Sequence, residues 1–266
     1  MSWFRPRRTS FKHCHPKALF LKPILAIDTS SAWCSVALSL DPSVKGMVQR
    51  HELLGPGASQ HLLPWITELL QQEGMTLRDL DAIAVGIGPG AFTGVRLAVA
   101  VVQGLALATH LPVAPVASLD AIAASAIDHP LIQAMDDGKH QFTVAIDARM
   151  GEVYWANYSV MKAAQVGNDN TALPERVGDI QLSKPEGIEM SLSECVFGSA
   201  VTQYPIHFEQ HLPSSQLDGT LGVSASGVLR CAKAMLAKGQ LIAVDQLEPL
   251  YIRNKVALTS AERGAK

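Results

Sequence analysis

The sequence predicts a duplicated α/β fold, and three observations carry that expectation. Two apolar runs end in aspartate, ILAID at 24–28 and FTVAID at 142–147, each followed by a tight turn and a second strand-like run. ILAIDTSSAWCSVAL is echoed in TVAIDARMGEVYWA, an internal repeat. Runs of period 2 alternate with runs of period 3.6, the pattern of sheets flanked by helices.

Taken in order, Ile24–Asp28 reads as a buried strand and TSSA as a turn. WCSVALSL alternates, with Cys34, Val36, Leu38 and Leu40 on one face, so it returns as a hairpin. A third strand fits Gly46–Leu53. Ser59 is placed to cap a helix reaching about Glu73, with Leu62, Leu63, Ile66, Leu69 and Leu70 on one side. Asp81–Ile87 is a strand, Thr93–Thr109 a helix and Pro112–Val116 a strand. A helix follows from about Ser118, which also reads as a cap, to Ile127. The second unit opens with strands on either side of ARMGE. Residues 161–220 are rich in Pro, Gly and Ser and give no clear periodicity. Val223–Lys238 is a helix, and a tail containing EPLYIRN follows. The expected division is residues 23–127 with about 222–240 as one domain, and 128–221 with the C-terminal tail as the other. Residues 1–22 read as a disordered basic extension.

Composition narrows the function classes. With 266 residues, 48% apolar and 17% charged, the chain has the makings of a globular core. A formal net charge of −2 gives no general affinity for nucleic acid. Cys14, Cys34, Cys195 and Cys231 are dispersed and read as reduced, buried thiols of a cytoplasmic protein. The longest low-polarity run, Leu97–Ala108, falls short of the ~20 residues a bilayer needs, so no membrane is expected.

Four chemistries compete for the motifs. Gly88, Gly90 and Gly94 stand between strand and helix like a dinucleotide fingerprint, with Asp120 as the ribose acid. Pro89, however, removes a backbone N–H where pyrophosphate needs donors. Asp28, Thr29, Ser30 and Ser31 resemble the phosphate hairpin of actin-like ATPases without its glycines. Its competing reading is ordinary hydroxyl turn chemistry. HFEQH spaces His207 and His211 one helical turn apart but is not HExxH, and two solvated histidines are expected, with no metal. Asp147, Arg149 and Glu152 cluster at a turn that reads as a salt-bridged hairpin before a catalytic one.

The helix after the glycines is a different kind of candidate. Between Leu97 and Ala108 Gln103 alone is polar, so more than one side needs cover. Ala100, Gly104 and Ala108 recur every fourth residue and would let another backbone approach. Gly104 costs the helix about 1 kcal/mol relative to Ala, which close packing can offset. Both a core helix and a partner interface remain open at this point.

ILAIDTSSAWCSVAL, GIGPGAFTGVRLAVAVVQGLALA, IDARMGEVYWA and EPLYIRN, in this order, resemble the bacterial TsaB (YeaZ) family from about Ile24 to Ala257. The resemblance implies a two-domain actin-like (ASKHA) fold. It also implies a scaffold role in making threonylcarbamoyladenosine beside the anticodon of tRNAs reading codons that begin with adenosine. The implied partners are the catalytic paralogue TsaD and the ATPase TsaE, with a homodimer when the chain is alone and tRNA reached through the complex. His110 is the one histidine in LALATHLPV, so the paralogue's paired histidines are missing there. The implied interface comprises Leu62, Leu69, Arg96, Leu97, Ala100, Val101, Gly104 and Ala108. Asp28, Thr29, Ser30 and Asp147 are candidates for a degenerate nucleotide cleft. Gly88, Pro89, Gly90, Thr93, Gly94, Arg149, Gly151 and Glu152 form the motif turns. No catalytic residue, metal or resident cofactor is implied, with weak ATP or ADP binding at a subunit interface left open. The alternative is an enzyme, either a degenerate ATPase of this fold or a metallopeptidase.

Overall fold

A computed structural model of the chain describes residues 23–40, 46–162 and 173–252. The basic segment expected at 1–22 and Cys14 lie outside them. Among the described residues ten strands form two five-stranded sheets. The first holds β1 (Ile24–Asp28), β2 (Trp33–Ser39), β3 (Met47–Leu53), β4 (Ala82–Gly88) and β5 (Val113–Ala117), in the order β3-β2-β1-β4-β5. The second holds β6 (Gly138–Arg149), β7 (Glu152–Lys162), β8 (Glu175–Ser183), β9 (Val196–Phe197) and β10 (Leu217–Asp218), in the order β10-β9-β6-β7-β8.

Read from the meander edge, the two orders are the same. In each, the Asp-ending strand pairs antiparallel with the next strand on one side. On the other side it pairs parallel with a strand reached by crossover. The short sequence echo is therefore the visible trace of a duplication that extends through the whole topology. β1 and β4 are apolar without alternation because both faces of the first sheet are covered.

The helices are α1 (Ala58–Gln72), α2 (Phe92–Thr109), α3 (Ser118–Ala126), α4 (Pro130–Gln133), α5 (Ser199–Gln203), α6 (Pro205–Glu209) and α7 (Ala225–Ala237). α1 and α2 cover the outer face of the first sheet around Leu62, Trp65, Leu69, Val95 and Val102. α3 and α7 share a central core with both sheets, from Ile24 and Ala84 to Phe142 and Tyr158. α5 and α6 close the far face of the second sheet over Val153, Val196 and Phe208. Asp120 on α3 ties the halves together. Its carboxylate accepts a 2.7 Å hydrogen bond from the Tyr158 hydroxyl on β7 and pairs with Arg176 on β8 at 3.2 Å. Burial lifts the Asp120 carboxyl above its usual range, opposed by Tyr158 and Arg176.

Several expectations need correction. Ser59 does not cap α1; the N-cap is Gly57, with no side-chain hydrogen bond. Ser118 is the first residue of α3 rather than its cap, and its hydroxyl bonds Ser30 instead. The tail does not go with the second domain. The Ile242 backbone bridges Val113, Leu250 N–H donates to Ile87 O at 2.8 Å, and Gln103 donates to Leu247 O. The edge of β5, the end of β4 and the side of α2 supply those partners, so the tail runs along the first sheet. In the irregular stretch the structure places β8, β9, β10, α5 and α6. Except for β8 these are very short, which explains their silence in periodicity.

Candidate functional site

The two hairpin turns that follow the aspartates occupy equivalent places in the two sheets. At the first, Asp28 is fully buried, and its Oδ1 accepts the Ser30 backbone N–H and the Ser30 hydroxyl, both at 3.0 Å. Its Oδ2 is buried without a hydrogen-bond partner. Burial pushes the carboxyl up to about 7 against the pull of Ser30.

The glycine motif explains this closure. A Cβ on Gly94 would lie 1.8 Å from Thr29 O, and one on Gly90 would lie 2.3 Å from Ser30 O. On Gly86 it would lie 1.9 Å from Asp28 Oδ2. The strand–helix turn therefore seats its backbone directly on the hairpin. Thr29 Oγ1 donates to Gly94 O and the Ala91 N–H to Ser30 O, each at 2.6 Å. Gly88 supplies the positive φ of 97° before Pro89, which is joined to it by a cis peptide. Thr93 is exposed on the first turn of α2. Thr29 and Ser30 are 1% and 2% exposed, while Ser31 is half-buried and Ala32 exposed at the tip of the turn.

The second turn is open. Arg149, Met150 and Gly151 have φ of 66°, 58° and 76°, and Met150 is 81% exposed. Asp147 Oδ1 accepts the Arg149 N–H at 3.0 Å and the Tyr204 hydroxyl at 3.2 Å. Arg149 pairs with Asp147 at 3.5 Å as the salt-bridged hairpin reading requires, and it faces Glu152 across the ladder.

α2 has two contrasting sides. Val95, Ala98, Val99, Val102 and Ala106 seat it on the sheet, with Leu97 and Val101 half-buried beside them. Ala100, Gly104, Leu107 and Ala108 face solvent, and a Cβ on Gly104 would meet nothing within 4 Å. The helix has 18 residues, more than the apolar run suggested, and by length and composition alone it could cross a membrane. Its seat on β4 gives that composition another reason: one side is core and the other is bare. Leu62 and Leu69 are not on that bare surface. They are 1% and 3% exposed, because α1 turns them into its own core, and Leu63 and Pro64 point outward instead. Arg96 stacks over the Phe92 ring at 3.7 Å, and its Nε donates to the Tyr251 hydroxyl at 2.9 Å. Tyr251 is a surface residue that no periodicity singles out, although EPLY marks its segment.

The remaining candidates are quiet. His207 is partly buried, not solvated; its ring lies between Phe208 and His211. Burial, then the neighbouring His211, lowers its basicity. Among the described residues no group of three or more His, Cys, Asp or Glu is placed to hold a metal. The thiols of Cys34, Cys195 and Cys231 are pushed up by burial to about 11, 12 and 12, which leaves them unreactive.

Comparison with known proteins agrees with this architecture. A family model described as "TsaD: tRNA N6-adenosine threonylcarbamoyltransferase" matches residues 56–208. The tRNA threonylcarbamoyladenosine biosynthesis protein TsaB of Escherichia coli K12 is 34% identical over 240 residues, 88% of this chain and 96% of its own. The protein of the same name from Haemophilus influenzae is 33% identical, with 88% and 94% covered. The solved structure of YeaZ from Pseudomonas aeruginosa superposes with a TM-score of 0.70 at 32% identity, over 87% of this chain and all of that one. The two-sheet fold is accordingly the actin-like one, and its repeat is the two-lobed repeat of that class. With a shared fold, a shared order of motifs and near-complete alignment to named members, the chain belongs to the TsaB (YeaZ) family.

Proposed function

We propose that this chain is a non-catalytic subunit in tRNA threonylcarbamoyladenosine biosynthesis, acting in the cytoplasm by holding a TsaD-type catalytic paralogue together with a TsaE-type ATPase. Its relatives carry the name of that biosynthesis. The observation that carries the scaffold reading is the bare side of α2. An apolar helix face of small residues, flanked by exposed Phe92 and Leu107, has no cover among the described residues. Such a surface on a soluble domain signals a protein contact. The paralogue shares the fold, so its equivalent helices would present a matching face, and a second copy of this chain would serve when the paralogue is absent. The tRNA then meets the complex rather than this subunit, in keeping with the net charge of −2.

The first hairpin supports the absence of an ATPase activity. Ser30 donates both its backbone N–H and its hydroxyl to Asp28 inside the turn, burial raises the Asp28 carboxyl to about 7, and the motif glycines bring the strand–helix turn directly against Thr29 and Ser30. The test is reconstitution. The chain alone should transfer no threonylcarbamoyl group from its adenylate to tRNA, and TsaD with TsaE should transfer it when this chain is added. Transfer by the isolated chain would refute the scaffold reading, as would full activity without it.

A further inference from the structure

We propose that Asp28 is a proton-controlled latch on the partner-binding helix. With its carboxyl protonated, the β1–β2 turn holds the start of α2 in its seat; with the carboxyl ionised, the seat loosens and the partner binds more weakly. The inference rests on the scaffold reading above and adds a regulation to it. It arises from the geometry beneath α2 rather than from the bare face.

Ser30 is the link. On one side its backbone N–H and its hydroxyl donate to Asp28 Oδ1, both at 3.0 Å. On the other its carbonyl accepts the Ala91 N–H at 2.6 Å, one residue before α2 begins. Thr29 Oγ1 donates to Gly94 O, also at 2.6 Å, in the first turn of that helix. Ser118 Oγ, at the start of α3, donates to Ser30 Oγ at 3.1 Å and completes a hydroxyl chain that ends on the carboxyl. A displacement of Ser30 is therefore a displacement of the α2 seat.

The other carboxyl oxygen supplies the cause. Oδ2 is buried without a hydrogen-bond partner and lies against Gly86, where a Cβ would stand 1.9 Å from it. A neutral carboxyl tolerates an unmet oxygen far better than an anion does. The groups around Asp28 do not supply the missing donor. β2 brings the Cys34 thiol, pushed up to about 11 by burial and then by Asp28 itself. It also brings Ser35, the cross-strand neighbour, whose hydroxyl accepts the Ala225 N–H at the start of α7. Arg230 of α7 pairs with Asp128, and Cys231 faces Asp120. The starts of α3 and α7 contribute partial positive charge only. The influences on the carboxyl are burial, which lifts it to about 7, and the two opposing Ser30 bonds, with no cation among them. The anion's relief is water, and solvent lies at the tip of the same turn, where Ser31 is half-buried and Ala32 exposed.

The experiment titrates the full-length chain against the TsaD-type paralogue at steps from about pH 6 to about pH 8.5, beside Asp28→Asn and Ser30→Ala. Asparagine mimics the neutral acid, so dividing the parent's Kd by that of Asp28→Asn removes the paralogue's own titration. That ratio should rise about tenfold across the window. Ser30→Ala removes a hydroxyl that favours the anion, so its loss of affinity should begin at higher pH than the parent's. Should Asp28→Asn fail to fold, this shifted onset carries the test. A ratio that stays flat while the parent binds would overturn the latch and leave the scaffold reading standing. So would an onset in Ser30→Ala at or below the parent's. Failure of the parent to bind at any pH would overturn the scaffold reading and this inference with it.

Discussion

Asp28 at the end of β1 and Asp147 near the end of β6 lie on equivalent strands of two sheets with one strand order, yet their turns have opposite fates. The first is sealed: Asp28, Thr29 and Ser30 are buried beneath Gly86, Gly90 and Gly94. The second projects Arg149 and Met150 into solvent from a braced, left-handed backbone. In the first lobe the crossover helix α2 presses its start onto the hairpin, whereas α5 follows Gly198 and braces the second turn from below. The difference teaches that duplication fixes topology but not use. One turn becomes structural when a neighbouring glycine-rich turn packs onto it, and its twin stays exposed where its neighbours brace it from one side.

The seal can be broken most directly at Gly94. Gly94→Ala sets a Cβ 1.8 Å from a backbone oxygen that cannot swing aside. The expected loss is about 3 kcal/mol or more by denaturant titration. At the open turn Gly151→Ala meets nothing within 4 Å and carries the penalty of its φ of 76°, about 1 kcal/mol. Equal losses at the two sites would end the contrast.

Asp28 gives a prediction of a size comparable to that at Gly94. Its native carboxyl holds a proton up to about pH 7, whereas the unfolded chain releases it near 3.8. Because the native value is raised, its favourable contribution is complete below the unfolded value and is lost as pH rises through the native one. Stability should therefore fall between about pH 4 and about pH 7 by up to ~4 kcal/mol from this group. In Asp28→Asn that slope should flatten in melting curves across the window. An unchanged slope would show that Asp28 is not the buried acid described.

Much of the fold was legible because its signals are local. ILAID, DAIAVGIG and FTVAID are buried on both faces and read as strands from apolar content alone. The sides of α1 and α2 follow from their periodicity. What the sequence concealed depends on distant partners. The glycines of GPGAFTG resembled a phosphate loop, and their contact with Thr29 and Ser30 lies about 60 residues away along the chain. The family resemblance puts Leu62 and Leu69 on a surface that their own periodicity argues against, since an apolar stripe on a sheet-packed helix faces the sheet. Tyr251 completes the Arg96 cluster from 155 residues away, and Asp120 finds Tyr158 and Arg176 across the lobes.

The smallest expected change in stability sits on the bare face of α2 and bears on the central claim that the chain works by contact. Gly104→Leu adds a side chain where nothing stands within 4 Å, and should stabilise the helix by up to about 1 kcal/mol. On an interface that needs close backbone approach, the same leucine obstructs. The decisive measurement is the affinity of this variant for the TsaD-type paralogue by titration calorimetry, with its melting midpoint taken in parallel. The account predicts at least a tenfold loss of affinity in a protein as stable as the parent. Affinity equal to the parent's would contradict it.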